Sequence, residues 1–289
     1  MSWRAVLLVG MLAALFAAIG SLFGMVGAAV ALAIAIIISF WSFWSAAPNI
    51  LAALHAVPCT DAGVLCATSV LAASAAIPTP FIYEIEDAQP NAFALGPNPQ
   101  SAVVILTSAL SAHLTRSEIN AVIAHELAHI RNRDTLVCTI ATTFVSAIAS
   151  LALVLGLVGL AVRRHGGGVI IFLAILAPLI ACILRFALSR SVEYRADRDA
   201  AYLCGRPRVL ISALRKLDQF SHSIQSQSAS AQPVLASLYI IDPLPKSWLG
   251  KIFCTHPPIA QRIARLEAMC DDFNQGALSK GATSKATSH

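Results

Sequence analysis

Two histidines and a glutamate form the segment whose residue types and spacing best fit a chemical role. His125 and His129 stand four residues apart in Ala124-His-Glu-Leu-Ala-His129, and Glu126 lies between them. Side chains four residues apart on a helix project from the same face, so both imidazoles can bind one metal ion. Zinc suits imidazole, and a catalytic zinc site has three protein ligands and one open position for water. Glu126 is then placed to take a proton from that water.

A third protein ligand is required, and the chain has only six glutamates to supply it. Glu193 stands out because Asp197 follows it by four residues, on the same face of a predicted helix. The Asp197 carboxylate could accept a hydrogen bond from the outer nitrogen of a ligand histidine. By themselves, Glu193 and Asp197 fit an exposed charged helix equally well, but the upstream histidines favour ligation. We therefore expect one Zn²⁺ per chain, held by His125, His129 and Glu193.

Composition predicts a membrane protein. Hydrophobic residues make up 57% of the chain, charged residues make up 12%, and the mean hydropathy is +0.73. Soluble domains average about 25% charged residues, so this chain requires an apolar environment. The net charge is +5, but the basic residues are spread over the polar segments, which argues against a nucleic-acid partner.

Four long apolar runs predict four transmembrane helices arranged as two hairpins, since a spanning helix needs about 20 apolar residues. The runs are Ala5–Gly20, Met25–Trp44, Thr135–Val162 and Val169–Leu188. The first run is short, and a cleavable signal peptide is the rival interpretation for it. Two spans separate Asp134 from Ser189, so the histidines and Glu193 fall on the same side of the membrane.

These runs divide the chain into five predicted parts. They are a transmembrane hairpin at 1–45, a first catalytic part at 46–134, a second transmembrane hairpin at 135–188, a second catalytic part at 189–271, and a disordered tail at 272–289.

Local patterns predict the elements of the catalytic parts. Alternating residues in Phe81–Glu86 predict a strand, and Ala92–Ala94 and Ala102–Thr107 flank a Gly96-Pro-Asn-Pro99 turn, which predicts a hairpin. Thr115 and Glu118 predict a capping box at the start of the HExxH helix. Further on, we expect one helix over Ser189–Leu217, a mobile Ser/Gln-rich loop over Ser221–Gln232 and an amphipathic helix over Ile259–Met269.

Several of these segments together resemble the HtpX-type heat-shock membrane proteases, which are relatives of the CAAX prenyl endopeptidases. The resemblance covers roughly residues 1–270. It rests on an HExxHxxNxD signature, an Asn-Ala-Phe-Ala strand, an ExxAD helix and an HPPxxxR segment. In this chain these are His125–Asp134, Asn91–Gly96, Glu193–Asp197 and His256–Arg262. Leu95 departs from the pattern, since many relatives carry a small residue or Thr there, and the Ser/Gln-rich loop and the tail do not align.

The resemblance implies a mixed α+β, zincin-like (gluzincin) catalytic domain and a zinc-dependent endopeptidase. It implies action at the cytoplasmic face of the cell inner membrane, in quality control of misfolded membrane proteins. It assigns His125, His129 and Glu193 to zinc and Glu126 to catalysis. It also places His256 and Arg262 near the metal, where they could stabilise an oxyanion. A rigid turn at His256 and a surface position for Arg262 are the alternatives.

The distribution of basic residues also favours a cytoplasmic location for the catalytic parts. An arginine cluster, with Lys216, follows the fourth run, and cytoplasmic loops of membrane proteins carry an excess of such residues. Arg163 and Arg164 would then lie in the outer loop, against that rule, but the cluster is larger. Substrate could add as a strand along Ala92–Ala94 or Ala102–Thr107.

Two other functions share some of these features. An intramembrane protease would carry the motif within an apolar run, but here the helix is flanked by Arg116, Glu118, Arg131 and Arg133. A non-catalytic zinc-binding scaffold would need no base such as Glu126 and would close its fourth ligand position.

Overall fold

The computed structural model describes residues 24–140, 190–231, 238–241, 243 and 257–270, with isolated positions between 6 and 21. The helices are α1 Gly24–Ala53, α2 Ala62–Ser74, α3 Ser108–His113, α4 Arg116–Arg131, α5 Arg190–Cys204, α6 Pro207–Ser223, α7 Gln227–Ala231 and α8 at 259–270. Several expectations fall outside the described residues. They concern His256, the tail, the fourth apolar run, half of the first run and most of the third.

Four strands form one mixed sheet in the described part of the chain. The strands are β1 Val57–Pro58, β2 Phe81–Ile85, β3 Ala92–Leu95 and β4 Val103–Thr107, in the order β1-β2-β4-β3. β3 and β4 form the predicted antiparallel hairpin, whereas β4 pairs in parallel with β2. At the turn, Gly96 has φ of +133°, and a Cβ there would lie 2.7 Å from the Ala102 Cα, so glycine is required. β4 is therefore a central strand and β3 an edge strand.

Both faces of the sheet are covered, which explains why β4 is apolar at every position but its last. On one face, Val104 and Leu106 pack in a cluster with Ile123 and Leu127 of α4. On the other face, side chains of β3 and β4 pack with the end of α1 and with Tyr239. The sheet thus forms the floor beneath α4, the helix that carries the two histidines.

The start of α4 is fixed by the predicted capping box. The Thr115 side chain accepts a hydrogen bond from the Glu118 N–H, and the Glu118 carboxylate accepts one from the Thr115 N–H at 2.8 Å. Glu118 is almost fully buried and also accepts hydrogen bonds from Ser212 and Lys216 of α6, each at 2.7 Å. One residue therefore begins the helix and attaches it to a remote part of the chain.

The single helix expected over Ser189–Leu217 is wrong, because two helices occupy this region. α5 ends at Cys204, Gly205 has φ of +62°, and Pro207 occupies the first turn of α6. A left-handed glycine followed by proline ends one helix and starts the next. α5 then packs against α4, and α6 packs against both of them.

The prediction of a mobile loop over Ser221–Gln232 is also wrong for its described part. α6 continues to Ser223, and α7 follows at Gln227–Ala231. The buried carboxylate of Asp87 accepts hydrogen bonds from the Ser226 hydroxyl at 2.7 Å and from the Ser228 N–H at 3.0 Å. Because the partner lies about 140 residues earlier, composition alone gave no sign of this anchor.

α1 is 30 residues long, contains Pro48, and exposes large apolar side chains such as Met25, Ile37 and Trp41. Its side chains at positions 31, 35, 38, 39, 42 and 43 lie outside the described residues. Among the helices as far as they are described, none is found long and apolar enough to cross a membrane. The four predicted spans are therefore not confirmed.

Candidate metal centre

α4 brings the two histidines of the motif close together. The Nε2 atoms of His125 and His129 lie 3.1 Å apart, and their rings meet nearly edge-on, with centroids 4.7 Å apart. The His125 side chain is completely buried, whereas 14% of the His129 side chain is exposed. The site is therefore open on the His129 side.

Glu193 reaches the same point from α5. Its Oε2 lies 3.6 Å from His125 Nε2, and its Oε1 lies 3.6 Å from His129 Nε2. The three residues predicted as ligands thus present one donor atom each within 4.8 Å of one another. α5 supplies this carboxylate 64 residues after His129, so the group exists only when the two helices are packed together.

These separations fit a metal ion. Zinc bonds to nitrogen and oxygen are about 2.0–2.2 Å long, so tetrahedral ligand atoms lie about 3.3–3.6 Å apart. The observed separations of 3.1 and 3.6 Å bracket that range. Two imidazoles and one carboxylate also make the donor set of catalytic zinc sites.

A carboxylate lies close to the outer nitrogen of each ring. His125 Nδ1 lies 3.1 Å from Asp197 Oδ1, and His129 Nδ1 lies 3.3 Å from Asp134 Oδ2. An Nδ1–H that donates to a carboxylate leaves the Nε2 lone pair facing the centre. Two such lone pairs 3.1 Å apart repel each other unless a cation lies between them.

Arg262 is buried inside the site, so the alternative of a surface position on an amphipathic helix is wrong. Its guanidinium donates to both oxygens of Asp197, at 2.8 and 2.7 Å, and to the Ile240 carbonyl at 2.7 Å. It also approaches Glu193 Oε2 at 3.4 Å and His125 Nε2 at 3.5 Å. These protein partners surround the guanidinium and leave Asp197 firmly placed behind His125.

The site carries excess negative charge. Four carboxylates and two guanidiniums lie in or beside it, so the net charge is −2 when the carboxylates are ionised and the histidines are neutral. These groups are Glu126, Asp134, Glu193, Asp197, Arg195 and Arg262. Burial lowers the pKa of His125, but its bonds to Asp197 and Glu193 outweigh this effect and raise it to about 9. A divalent cation would balance this charge when both histidines are neutral, which is the state in which imidazole binds a metal.

Glu126 is almost fully buried next to the donor group. Burial raises the pKa of its carboxyl, because the charged form is disfavoured away from water, although the neighbouring histidines oppose the shift. A carboxylate whose pKa is raised is suited to exchanging protons near neutral pH.

Two residues near the donor group had no role assigned from the sequence. Asp134 lies behind His129, and Arg195 donates to both oxygens of Asp134, at 2.7 and 3.0 Å. The aspartate belongs to the HExxHxxNxD signature, and this was the available signal. Helical spacing could not reveal it, because α4 ends at Arg131 and Arg133 has φ of +59°.

A family model and a related sequence agree on the family. A family model described as peptidase family M48 matches residues 58–270. A protein named "Protease HtpX homolog" from Acidiphilium cryptum (strain JF-5) is 41% identical over 276 residues, which cover 92% of this chain and 96% of that protein. The crystal structure of S. mikatae Ste24p has a TM-score of 0.49 and 19% identity, over 81% of this chain and 56% of that one. The chain therefore belongs to peptidase family M48 and is a metalloprotease.

Proposed function

We propose that this chain is a membrane-integrated, zinc-dependent endopeptidase with its active site at the cytoplasmic face. The observation that carries the proposal is the convergence of His125, His129 and Glu193 donor atoms beside the buried carboxylate of Glu126. A structural metal site needs no base and closes its fourth ligand position, so this arrangement favours hydrolysis over a zinc-binding scaffold.

The three donors would hold one zinc ion, which supplies Lewis-acid polarisation of water and of the scissile carbonyl. Glu126 takes a proton from the attacking water and later passes it to the leaving amine. Asp197 and Asp134 keep the two histidines in the orientation that faces the centre. His256, which lies outside the described residues, stays a predicted catalytic residue.

Arg262 acts through Asp197 in this proposal. Its contacts to Asp197 and to the Ile240 carbonyl engage both ends of the guanidinium, which argues against direct stabilisation of an oxyanion. We therefore assign it a positioning role rather than the catalytic role predicted for it.

An unfolded substrate would add along β3, the edge strand. The alternative of pairing along β4 is wrong, because β4 lies between β2 and β3. Thr107 N–H donates to the Asn91 carbonyl. Because every second residue of an antiparallel strand bonds to the same neighbour, the backbone N–H and C=O groups of Ala92 and Ala94 point away from β4. The Ala92 carbonyl already accepts the Ile240 N–H at 2.9 Å, so Ala94 is the pairing position that we propose for substrate among the described residues of this edge. Main-chain pairing suits unfolded substrates of varied sequence.

Membrane integration and quality control of misfolded membrane proteins complete the proposal. The four apolar runs support the multi-pass topology, and the exposed apolar side chains of α1 would be buried in lipid. The arginine cluster of α5 and α6 supports a cytoplasmic active site, in the cell inner membrane. Unfolded or misfolded membrane proteins are the proposed substrates, and we expect no nucleic-acid partner.

The decisive experiment is Glu126→Gln in detergent-purified protein. We expect it to retain zinc and to lower the cleavage rate of a casein-like substrate by about 10²- to 10⁴-fold, because only the proton-transferring group is lost. Glu267→Gln is the matched control, because Glu267 is half-exposed and pairs with Arg215 on the protein surface. This variant should cleave the substrate at the wild-type rate. Wild-type cleavage by zinc-loaded Glu126→Gln would contradict the proposal, and zinc binding without any cleavage by the wild type would favour the scaffold.

A further inference from the structure

We propose that Asp134 is a positioning residue for His129 and that Arg195 holds Asp134 in place. The inference rests on the proposed function, because it concerns a histidine that we assign to the metal. It adds a second His–Asp–Arg group to the buried one formed by His125, Asp197 and Arg262.

The path of the chain after α4 delivers Asp134 to this position. α4 ends at Arg131, the backbone turns through Arg133 with φ of +59°, and a new helical segment starts at residue 134. If the helix had continued without this turn, residue 134 would not return to the outer side of His129. Asp134 is 8% exposed and its Oδ2 lies 3.3 Å from His129 Nδ1.

Arg195 secures the carboxylate from α5. Its Nη2 donates to Asp134 Oδ1 at 2.7 Å and to Oδ2 at 3.0 Å, so the carboxylate is gripped at both oxygens. Arg195 lies two residues after Glu193. One turn of α5 therefore supplies both a predicted metal ligand and the arginine that binds Asp134. The position of His129 therefore depends on how α5 packs against α4.

The chemical consequence concerns the tautomer and rotation of the His129 ring. With Asp134 ionised, His129 Nδ1 donates and Nε2 keeps its lone pair towards the donor group. An amide at position 134 could instead donate to Nδ1, which would favour the wrong tautomer. It would also remove the charge that holds Arg195.

The experiment is a double-mutant cycle on zinc affinity, measured by competition with a chromophoric chelator. We expect Asp134→Asn to weaken zinc binding by about 10- to 100-fold and Arg195→Gln by up to about tenfold. If Arg195 acts through Asp134, adding Arg195→Gln to Asp134→Asn should change the affinity by less than about twofold. Arg198→Gln is the matched control, since Arg198 lies on the same helix, is 57% exposed and meets Asp199 instead, at 3.5 Å.

A second readout separates positioning from general stability. In Co²⁺-substituted protein, Asp134→Asn and Arg195→Gln should both shift the visible absorption bands, whereas Arg198→Gln should leave them unchanged. Additive losses of affinity, or Co²⁺ bands that match the wild type, would overturn the inference. Failure of the wild type to bind one zinc per chain would overturn the proposed function as well, so the two failures are distinguishable.

Discussion

The two histidines of the metal centre are supported in the same way but at different depths. Behind His125, Asp197 and Arg262 are buried, with no exposure of the Arg262 side chain. Behind His129, the Arg195 side chain that holds Asp134 is 42% exposed. Ion pairs that water and salt can reach contribute little, whereas a buried charge that loses its partner is costly. We therefore expect the buried Asp197–Arg262 pair to contribute to the stability of the fold. The more exposed Asp134–Arg195 pair should mainly affect the position of His129.

The largest expected effect is at the buried side. Arg262→Gln leaves the Asp197 carboxylate without its charged partner, and we expect the free energy of unfolding to fall by about 3–5 kcal/mol. The measurement is chemical unfolding in detergent with excess chelator, so that lost zinc affinity does not enter the comparison. A decrease in unfolding free energy of less than about 1 kcal/mol would show that burial does not make the Asp197–Arg262 pair more important for stability than the Asp134–Arg195 pair.

Glu118, at the start of α4, separates structural pairing from metal positioning. Glu118 pairs with Lys216 at 2.7 Å and, among the described residues, forms no hydrogen bond or ion pair with a histidine. Glu118→Gln should therefore cost about 1–3 kcal/mol of stability and leave zinc affinity unchanged. Altered zinc binding would mean that the start of α4 also controls the metal centre.

The stability lost in Glu118→Gln should depend on pH. Burial raises the pKa of Glu118, but bonds from Lys216, Ser212 and Thr115 outweigh it and lower the pKa from 4.5 to about 2. Because the folded pKa lies below the unfolded one, the stabilisation is fully present above about pH 4.5 and disappears as the pH falls towards 2. The difference in unfolding free energy between wild type and Glu118→Gln should therefore narrow between pH 5 and pH 3, and a constant difference would contradict this origin.

The smallest stability change is expected at the open side. Arg195→Gln should alter the free energy of unfolding of the chelated protein by about 0–1 kcal/mol, since the pair is reachable by water and salt. The same unfolding assay checks this value, with Arg198→Gln beside it. A loss as large as that of Arg262→Gln would remove the difference between the two sides.

The sequence predicted the features that depend on neighbouring residues. The capping box at Thr115, the β3–β4 hairpin and the helical spacing of His125 and His129 are all local, and the structure contains them. The ExxAD spacing likewise placed Asp197 on the face of α5 that carries Glu193.

What the sequence did not predict depends on partners far along the chain. Arg262 on α8 was compatible with a surface position until its contact with Asp197 was known, 65 residues away. The Ser/Gln-rich segment has the composition of a loop, yet Asp87 of the first catalytic part holds it in place. The parallel pairing of β2 with β4 also left no local pattern, because β3 stands between them in the chain. Gly205 and Pro207 are a local signal of a helix break, but the predicted helix ran through them.

The origin of the donor group in two separate helices has a consequence for the chain as a polymer. An ion shared by α4 and α5 would cross-link points 64 residues apart, and closing an interval of that length costs entropy that the unfolded chain otherwise keeps. Metal supply and conformational stability would then be linked by mass action, with about 2.7 kcal/mol gained when free zinc reaches 100 times its dissociation constant. A newly made chain would remain more easily unfolded until it is metallated, so zinc availability would set how much of the protease survives as well as how much is active.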